Sequence, residues 1–416
     1  MSLAGCADDE PKAQEPKAKA SGSESPSPTG EGIAPTYFGV HDHEPLGDGG
    51  AGWPDAPVGS LRAWDAGVTW RDIEIADGQY NFDRLDAIVD AAEKKDADVL
   101  LVLGQTPAFH AKDPAAESFY GPGAASPPRL AAWTAYVREV AERYAGRPVI
   151  LQVWNEANVD GFWSGSPVEM AKLTKATFDA IADVSPRPTL VSPALVTRLP
   201  SQQKWLERFY SSTVEGQSVG EFMDVVSLQL YPKAEDTPET SMEILEQMRA
   251  VLTENGVDKP IWNTEINYGL TGLAVPPAPK DEQVMNVVAT YLLNAANGVE
   301  RVYWYGWDQQ TNVGTLLVEP DGATLTPAGK AFRTVQSWLV GSTRVTCDKD
   351  AQGTWTCVLQ HPEGERTVYW NPETTASVTL PDGASTIEQV GGRSRSAEAG
   401  QQIQVGKLPV MVQAAS

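Results

Sequence analysis

Short apolar runs alternate with longer amphipathic stretches between about residues 34 and 340. The runs at 37–40, 60–64, 99–103, 149–154, 189–192, 225–230, 260–262 and 301–305 are short and mostly apolar, as strands buried on both faces are. Between them apolar positions return every three or four residues. In 82–95 they are Leu85, Ile88, Val89 and Ala92. In 128–144 they are Leu130, Trp133, Val137 and Val140, behind a proline in the first turn. Residues 167–184, 202–211, 241–255 and 281–297 read as helices in the same way. This α/β alternation predicts a (β/α)8 TIM barrel over 33–340. A doubly wound sheet is the competing architecture, but no glycine-rich phosphate loop follows the first strand. After about residue 341 the period changes to two. Runs at 343–347, 354–359, 365–370, 376–380, 386–390 and 402–412, joined by short turns, predict an all-β sandwich as an accessory domain over 341–416.

Residues 1–32 follow neither pattern. They are poor in apolar residues and rich in Pro, Ser, Lys and Glu, the composition of a disordered linker. Leu3-Ala4-Gly5-Cys6 ahead of that linker is similar to a bacterial lipobox, which implies lipidation at Cys6 and an extracytoplasmic, surface-tethered protein. Cys347 and Cys357 sit ten residues apart around a turn-like Asp350-Ala351-Gln352-Gly353. That places them across a hairpin, and an exported protein would join them as a disulfide.

A net charge of −23 argues against a nucleic-acid partner, which needs a basic face. It also disfavours docking on anionic lipid, leaving the lipid anchor as the membrane contact. Thirteen tryptophans against nine phenylalanines is an unusual balance, and tryptophan is a good platform for sugar rings. Oligomeric state leaves no mark in the sequence.

Candidate chemistry lies where barrel active sites lie, at the carboxyl ends of the strands. Trp154-Asn155-Glu156-Ala157-Asn158 ends the fourth run, and Trp262-Asn263-Thr264-Glu265 ends the seventh. Two glutamates so placed are the equipment of a retaining glycoside hydrolase, Glu156 protonating the leaving oxygen and Glu265 attacking the sugar carbon. Arg62 and Tyr231, at the ends of the second and sixth runs, are candidate donors to Glu265. Asn155 is placed to hold the hydroxyl beside the reacting carbon. Trp304 or Trp307, around the end of the eighth run, would form the floor under the sugar. His41 and His43 follow the first run and are candidate sugar-binding residues. His41-Asp42-His43-Glu44 also has metal-ligand residue types, but in a spacing that suits no common helix-borne site, and this chemistry needs neither metal nor cofactor. Gln105, His110 and Trp163, in the loops after the third and fourth strands, are candidate cleft residues.

These strings resemble clan A glycoside hydrolases, whose acid/base follows an asparagine on strand four and whose nucleophile ends strand seven. The stretch 61–86, with Arg62-Ala63-Trp64-Asp65-Ala66-Gly67-Val68-Thr69-Trp70 and Gly78-Gln79-Tyr80-Asn81-Phe82-Asp83, is similar to family 39 members, as is Gly104-Gln105-Thr106-Pro107. The resemblance covers roughly residues 35–410 and implies a two-step covalent mechanism. It departs at Ala157, where many relatives have proline. The sugar and linkage do not carry over. A transglycosylase would use the same residues, and a non-catalytic glycan-binding surface lipoprotein would keep the aromatics but lose a carboxylate.

Overall fold

The computed structural model describes residues 32–47, 52–233, 235–269, 277–308 and 313–415. Cys6 and the linker fall outside the described residues. Eight parallel strands form the central sheet: β1 (Phe38–Val40), β2 (Ser60–Ala63), β3 (Asp98–Leu103), β4 (Val149–Val153), β5 (Leu190–Val191), β6 (Val226–Leu228), β7 (Ile261–Ile266) and β8 (Val299–Trp304). Their order is β6-β7-β8-β1-β2-β3-β4-β5, and a parallel bridge between Val191 and Val225 brings β5 to β6 and closes the barrel. Seven helices of more than two turns surround it: α1 (Asp83–Glu93), α2 (Leu130–Arg143), α3 (Pro167–Ile181), α4 (Pro200–Tyr210), α5 (Pro238–Glu254), α6 (Lys280–Ala296) and α7 (Pro327–Leu339).

Four of these helices open on a proline, whose missing N–H costs nothing in the first turn. Ser166 completes the start of α3, since its hydroxyl accepts from Glu169 N at 3.2 Å while the Glu169 carboxylate accepts from Ser166 N at 3.1 Å. α7 is the element absent from the sequence reading. Among the described residues no helix joins β1 to β2, so six of the seven helices cross between successive strands and α7 follows β8.

Inside, the amino-terminal end of the barrel is plugged by polar groups. Arg301 bonds Asp98 at 2.6 Å and lies 4.2 Å over the Trp262 ring, and Ser60 contacts both Asp98 and Tyr303. Gly39 leaves room for this plug, because a Cβ there would stand 2.3 Å from the Tyr303 ring. Above the plug, Leu100, Val191 and Val225 fill the interior.

The C-terminal region is an antiparallel six-stranded sheet, in the order β9 (Arg344–Lys349), β10 (Trp355–Gln360), β11 (Arg366–Trp370), β16 (Val410–Ala414), β13 (Ala384–Gln389), β14 (Arg393–Ser396). A two-stranded ribbon, β12 (Ala376–Thr379) with β15 (Gln402–Val405), covers it through Leu380, Ile387, Ile403 and Val412. The run at 402–412, read as one strand, is two, broken at Gly406 to Pro409. Val345, Leu359, Val368, Trp370 and Met411 belong to the same apolar core as the barrel. Arg366 donates to Ser337 O and Trp338 O at 2.9 Å, satisfying the last turn of α7 with a cation. Cys347 and Cys357 face each other across β9 and β10 and are disulfide-bonded, as the hairpin spacing suggested.

Candidate active site

One guanidinium organises the carboxyl end of the barrel. Arg62 of β2 is fully buried. Its Nε donates to Gln152 Oε1 of β4 at 2.8 Å, its Nη1 to Glu265 Oε2 of β7 at 2.9 Å, and its Nη2 to Asn155 Oδ1 at 2.8 Å. Glu265 receives two further donors: Gln229 Nε2 at 3.0 Å on Oε2 and the Tyr231 hydroxyl at 3.0 Å on Oε1. The strand reading stopped at Trp262, whereas β7 runs to Ile266. The β7–β8 register shifts between Asn263 and Ile266, a bulge that re-aims side chains there. Thr264 thus reaches Ser227 Oγ at 2.6 Å inside the barrel while its neighbour Glu265 still meets Arg62 at the mouth.

Glu156 is held differently. Trp154 and Glu156 both have positive φ, 65° and 45°, a left-handed conformation uncommon for such residues and found mostly at functional turns. The turn is pinned by Ala157 N on Ala194 O at 3.1 Å, and by the Asn158 side chain, which pairs with Val196 at 2.7 and 3.0 Å. Among the described residues the Glu156 carboxyl has no hydrogen-bond partner. Burial, and then the charge of Glu265, push it up to about 8, against the pull of Arg198 and Arg62. Burial, helped by the Asp65 charge, holds Glu265 above the ordinary carboxylate range as well, although Arg62 and the Tyr231 hydroxyl pull it the other way. The two carboxyls titrate as a pair.

Both glutamates line a cleft of about 360 Å³ with Asn155, Arg198, Tyr231 and Tyr305. Trp64, Tyr120, Phe119 and Phe162 make an aromatic wall on the side of the loops after β2, β3 and β4. Trp64 meets Tyr120 edge-on at 5.7 Å, and Phe119 meets Phe162 edge-on at 5.0 Å. Phe119 N bonds Gly161 O at 3.2 Å, and a Cβ on Gly161 would stand 2.2 Å from the Phe119 ring. Phe119 is nevertheless 68% exposed.

His41 and His43 both reach the mouth. His41 Nε2 donates to Thr264 O at 3.1 Å, and burial with the neighbouring Arg62 charge keeps the ring neutral. His43 bonds Asp308 at 3.0 Å and approaches Asp65 at 3.7 Å. Burial opposes its charge, but these carboxylates prevail and hold it cationic, up to about 10. Asp42 is pushed up to about 8 by burial and by Asp308.

Arg62, Asn155, Tyr231, Glu156 and Glu265 thus converge, with His41 and His43 behind them. Five candidate residues do not line the cleft. Trp304 is fully buried against Tyr268 and Tyr291, outside the barrel mouth, and Trp307 is 1% exposed. Tyr305, directly after Trp304, takes the cleft position, because strand alternation turns Trp304 toward the helices. Trp163 packs edge-on against Trp154 in the core, and its neighbour Phe162 lines the cleft instead. His110 stacks on Trp70 and bonds Glu74 at 2.9 Å, with Asp77 at 3.6 Å, tying the β3 loop to the 74–80 hairpin. Gln105 adopts a left-handed backbone, φ 61°, and is buried beside the cleft without lining it. Gln229, Arg198 and the pair Phe119 and Phe162 were missed. Gln229 stands two residues before Tyr231, so strand alternation could have found it.

The Glycosyl hydrolase catalytic core family model matches residues 122–332. No curated protein matches the chain at a significant level. The chain is similar in structure to a family 39 glycoside hydrolase from Bacteroides cellulosilyticus WH2, with 18% identity, TM-score 0.70, and coverage of 92% of this chain and 81% of that one. A glucosidase from Croceicoccus marinus gives 14% identity, TM-score 0.69 and coverage of 94% and 97%. A family 39 β-xylosidase from Caulobacter crescentus gives 14%, 0.65, and 92% and 97%. These likenesses carry the fold. The family match spans more than half of the sequence and takes in β4 with Glu156 and β7 with Glu265, so the chain belongs to the glycosyl hydrolase catalytic core family and is a glycosidase.

Proposed function

We propose that this protein is a retaining glycoside hydrolase with Glu265 as nucleophile and Glu156 as acid/base. The observation that carries this reading is the asymmetry of the pair. Glu265 accepts from Arg62, Gln229 and Tyr231, whereas Glu156 has no hydrogen-bond partner among the described residues. The proton that the pair retains therefore sits on Glu156, and the charge sits on Glu265. Glu265 attacks the anomeric carbon while Glu156 gives its proton to the departing oxygen. The glycosyl–Glu265 ester is then opened by a water that Glu156, now a carboxylate, deprotonates. Asn155 turns its oxygen to Arg62 and Gln229, which leaves its amide N–H groups for the hydroxyl next to the reacting carbon.

The test is the anomeric configuration of the first-formed product, followed by NMR on a glycan that the wild type cleaves. Retention is expected, together with loss of cleavage in Glu265→Ala and its partial return with azide as the β-to-α inverted glycosyl azide adduct for a β-linked substrate. An inverted product would remove the covalent mechanism.

We also propose that the protein acts outside the cytoplasm on a lipid tether. The lipobox-like Leu3-Ala4-Gly5-Cys6 and the Cys347–Cys357 disulfide support this. Full-length protein expressed in a bacterium should label with a fatty-acid analogue, and label on Cys6→Ala protein would defeat the idea.

A further inference from the structure

Arg198 is the basic residue of the cleft lining, and the described residues supply it with no hydrogen bond or ion pair. Its guanidinium stands 5.8 Å over the Tyr231 ring. The other charges of the cleft are matched: Glu265 with Arg62, and Asp65 and Asp308 with His43. A half-buried cation without a counter-charge is unfavourable unless a ligand supplies one.

The backbone around Arg198 is built rather than loose. Thr197 Oγ1 donates to Gln229 O at 2.9 Å, Gln203 Nε2 donates to Thr197 O at 2.9 Å, and Val196 is paired with Asn158. These bonds fix Arg198 beside the turn that carries Glu156. A cation beside a group that must hold its proton works against that group. The arrangement makes chemical sense when the bound substrate neutralises the cation.

We propose that Arg198 binds the anionic group of an acidic sugar, a carboxylate or a sulfate ester, and that the substrate is an anionic polysaccharide. The proposal rests on the glycosidase reading of the cleft and adds its substrate class. The overall charge of −23 repels such a chain at long range, so recognition is local, and moderate salt should raise kcat/KM rather than lower it.

The experiment compares full-length wild type, Arg198→Gln and Arg198→Lys on polygalacturonate, glucuronoxylan, hyaluronan and chondroitin sulfate. Each is set beside its carboxyl-reduced or desulfated form, and the carboxylate and sulfate arms separate the two anions. Binding is read in parallel with the Glu265→Gln protein. Wild type should prefer an acidic glycan to its neutralised form. In Arg198→Gln that preference should fall about 10- to 100-fold, with partial recovery in Arg198→Lys. Cleavage of neutral forms alone, or an equal loss on both forms with a shifted pH profile, would overturn the proposal and leave the glycosidase reading standing. Arg198-dependent binding of an acidic glycan without cleavage would do the reverse. Neither binding nor cleavage of any acidic member would overturn the proposal outright.

Discussion

Glu156 and Glu265 are the same residue type in the same cleft, and their surroundings divide the labour between them. Glu156 gains acidity from no donor among the described residues, so burial and the nearby Glu265 charge set its titration at about 8. An acid catalyst must be protonated. Activity should therefore hold below that value and fall as pH rises through about 8, the limb belonging to the coupled pair. A kcat/KM profile on the cleaved glycan measures it. Glu156→Gln should abolish the alkaline limb and lower kcat by roughly 100- to 10,000-fold on substrates with poor leaving groups. An unchanged alkaline limb in Glu156→Gln would assign the titration to another group, with Asp42 next in line because burial and Asp308 raise it to a similar value. The two glutamates were legible in the sequence because each sits at the end of an apolar run. Their partners were only partly so. Arg62 and Tyr231 end strands and can be read from the pattern, but Arg198 lies in a loop whose path depends on Asn158 and Gln203, and no local period encodes that.

At the scale of elements, the barrel strands were readable because parallel strands buried on both faces are continuous apolar runs, as Val99 to Leu103 shows. α7 was not read, although Thr326 caps it at Gly329 N and Pro327 opens it. Residues 313–326 before it follow neither a helical nor a strand period, which hid the start. Tryptophan misled for a physical reason: a large ring suits a sugar platform and a core equally well, and Trp154, Trp163, Trp304 and Trp307 all went to the core. The exposed aromatic surface comes instead from loop residues. Phe119 is pressed against Phe162 by the Phe119–Gly161 backbone bond, and its outward face is the outer end of the cleft wall. Phe119→Ala should raise KM for long oligosaccharides about 3- to 10-fold and flatten the rise of kcat/KM with chain length. Chain-length dependence identical to wild type would mean that the ring only packs the loop.

At the scale of the molecule, the β sheet and the barrel share one apolar core, and the hairpin β9–β10 carries the disulfide next to α6, with Cys347 Sγ near Leu292 O. Closing a loop of ten residues should be worth about 2–3 kcal/mol. Cys347→Ser/Cys357→Ser protein should accordingly melt lower by calorimetry while keeping its pH profile. An equal melting temperature would mean that the packing of Val345, Leu359 and Trp370 holds the hairpin without the bond.

The Arg62 network has a consequence for descent. A single guanidinium serves Gln152, Asn155 and Glu265 on three separate stretches of chain, so a lineage that loses Arg62 takes the counter-charge from a buried carboxylate and a hydrogen bond from each of two amides in one step. Such a centre passes from ancestor to descendant whole or not at all. Phe119, Phe162 and Arg198 make no bond with Arg62, so the surfaces they form are free to drift. Substitutions on those surfaces can therefore alter what the cleft holds while leaving the Arg62 bonds to the carboxylate intact.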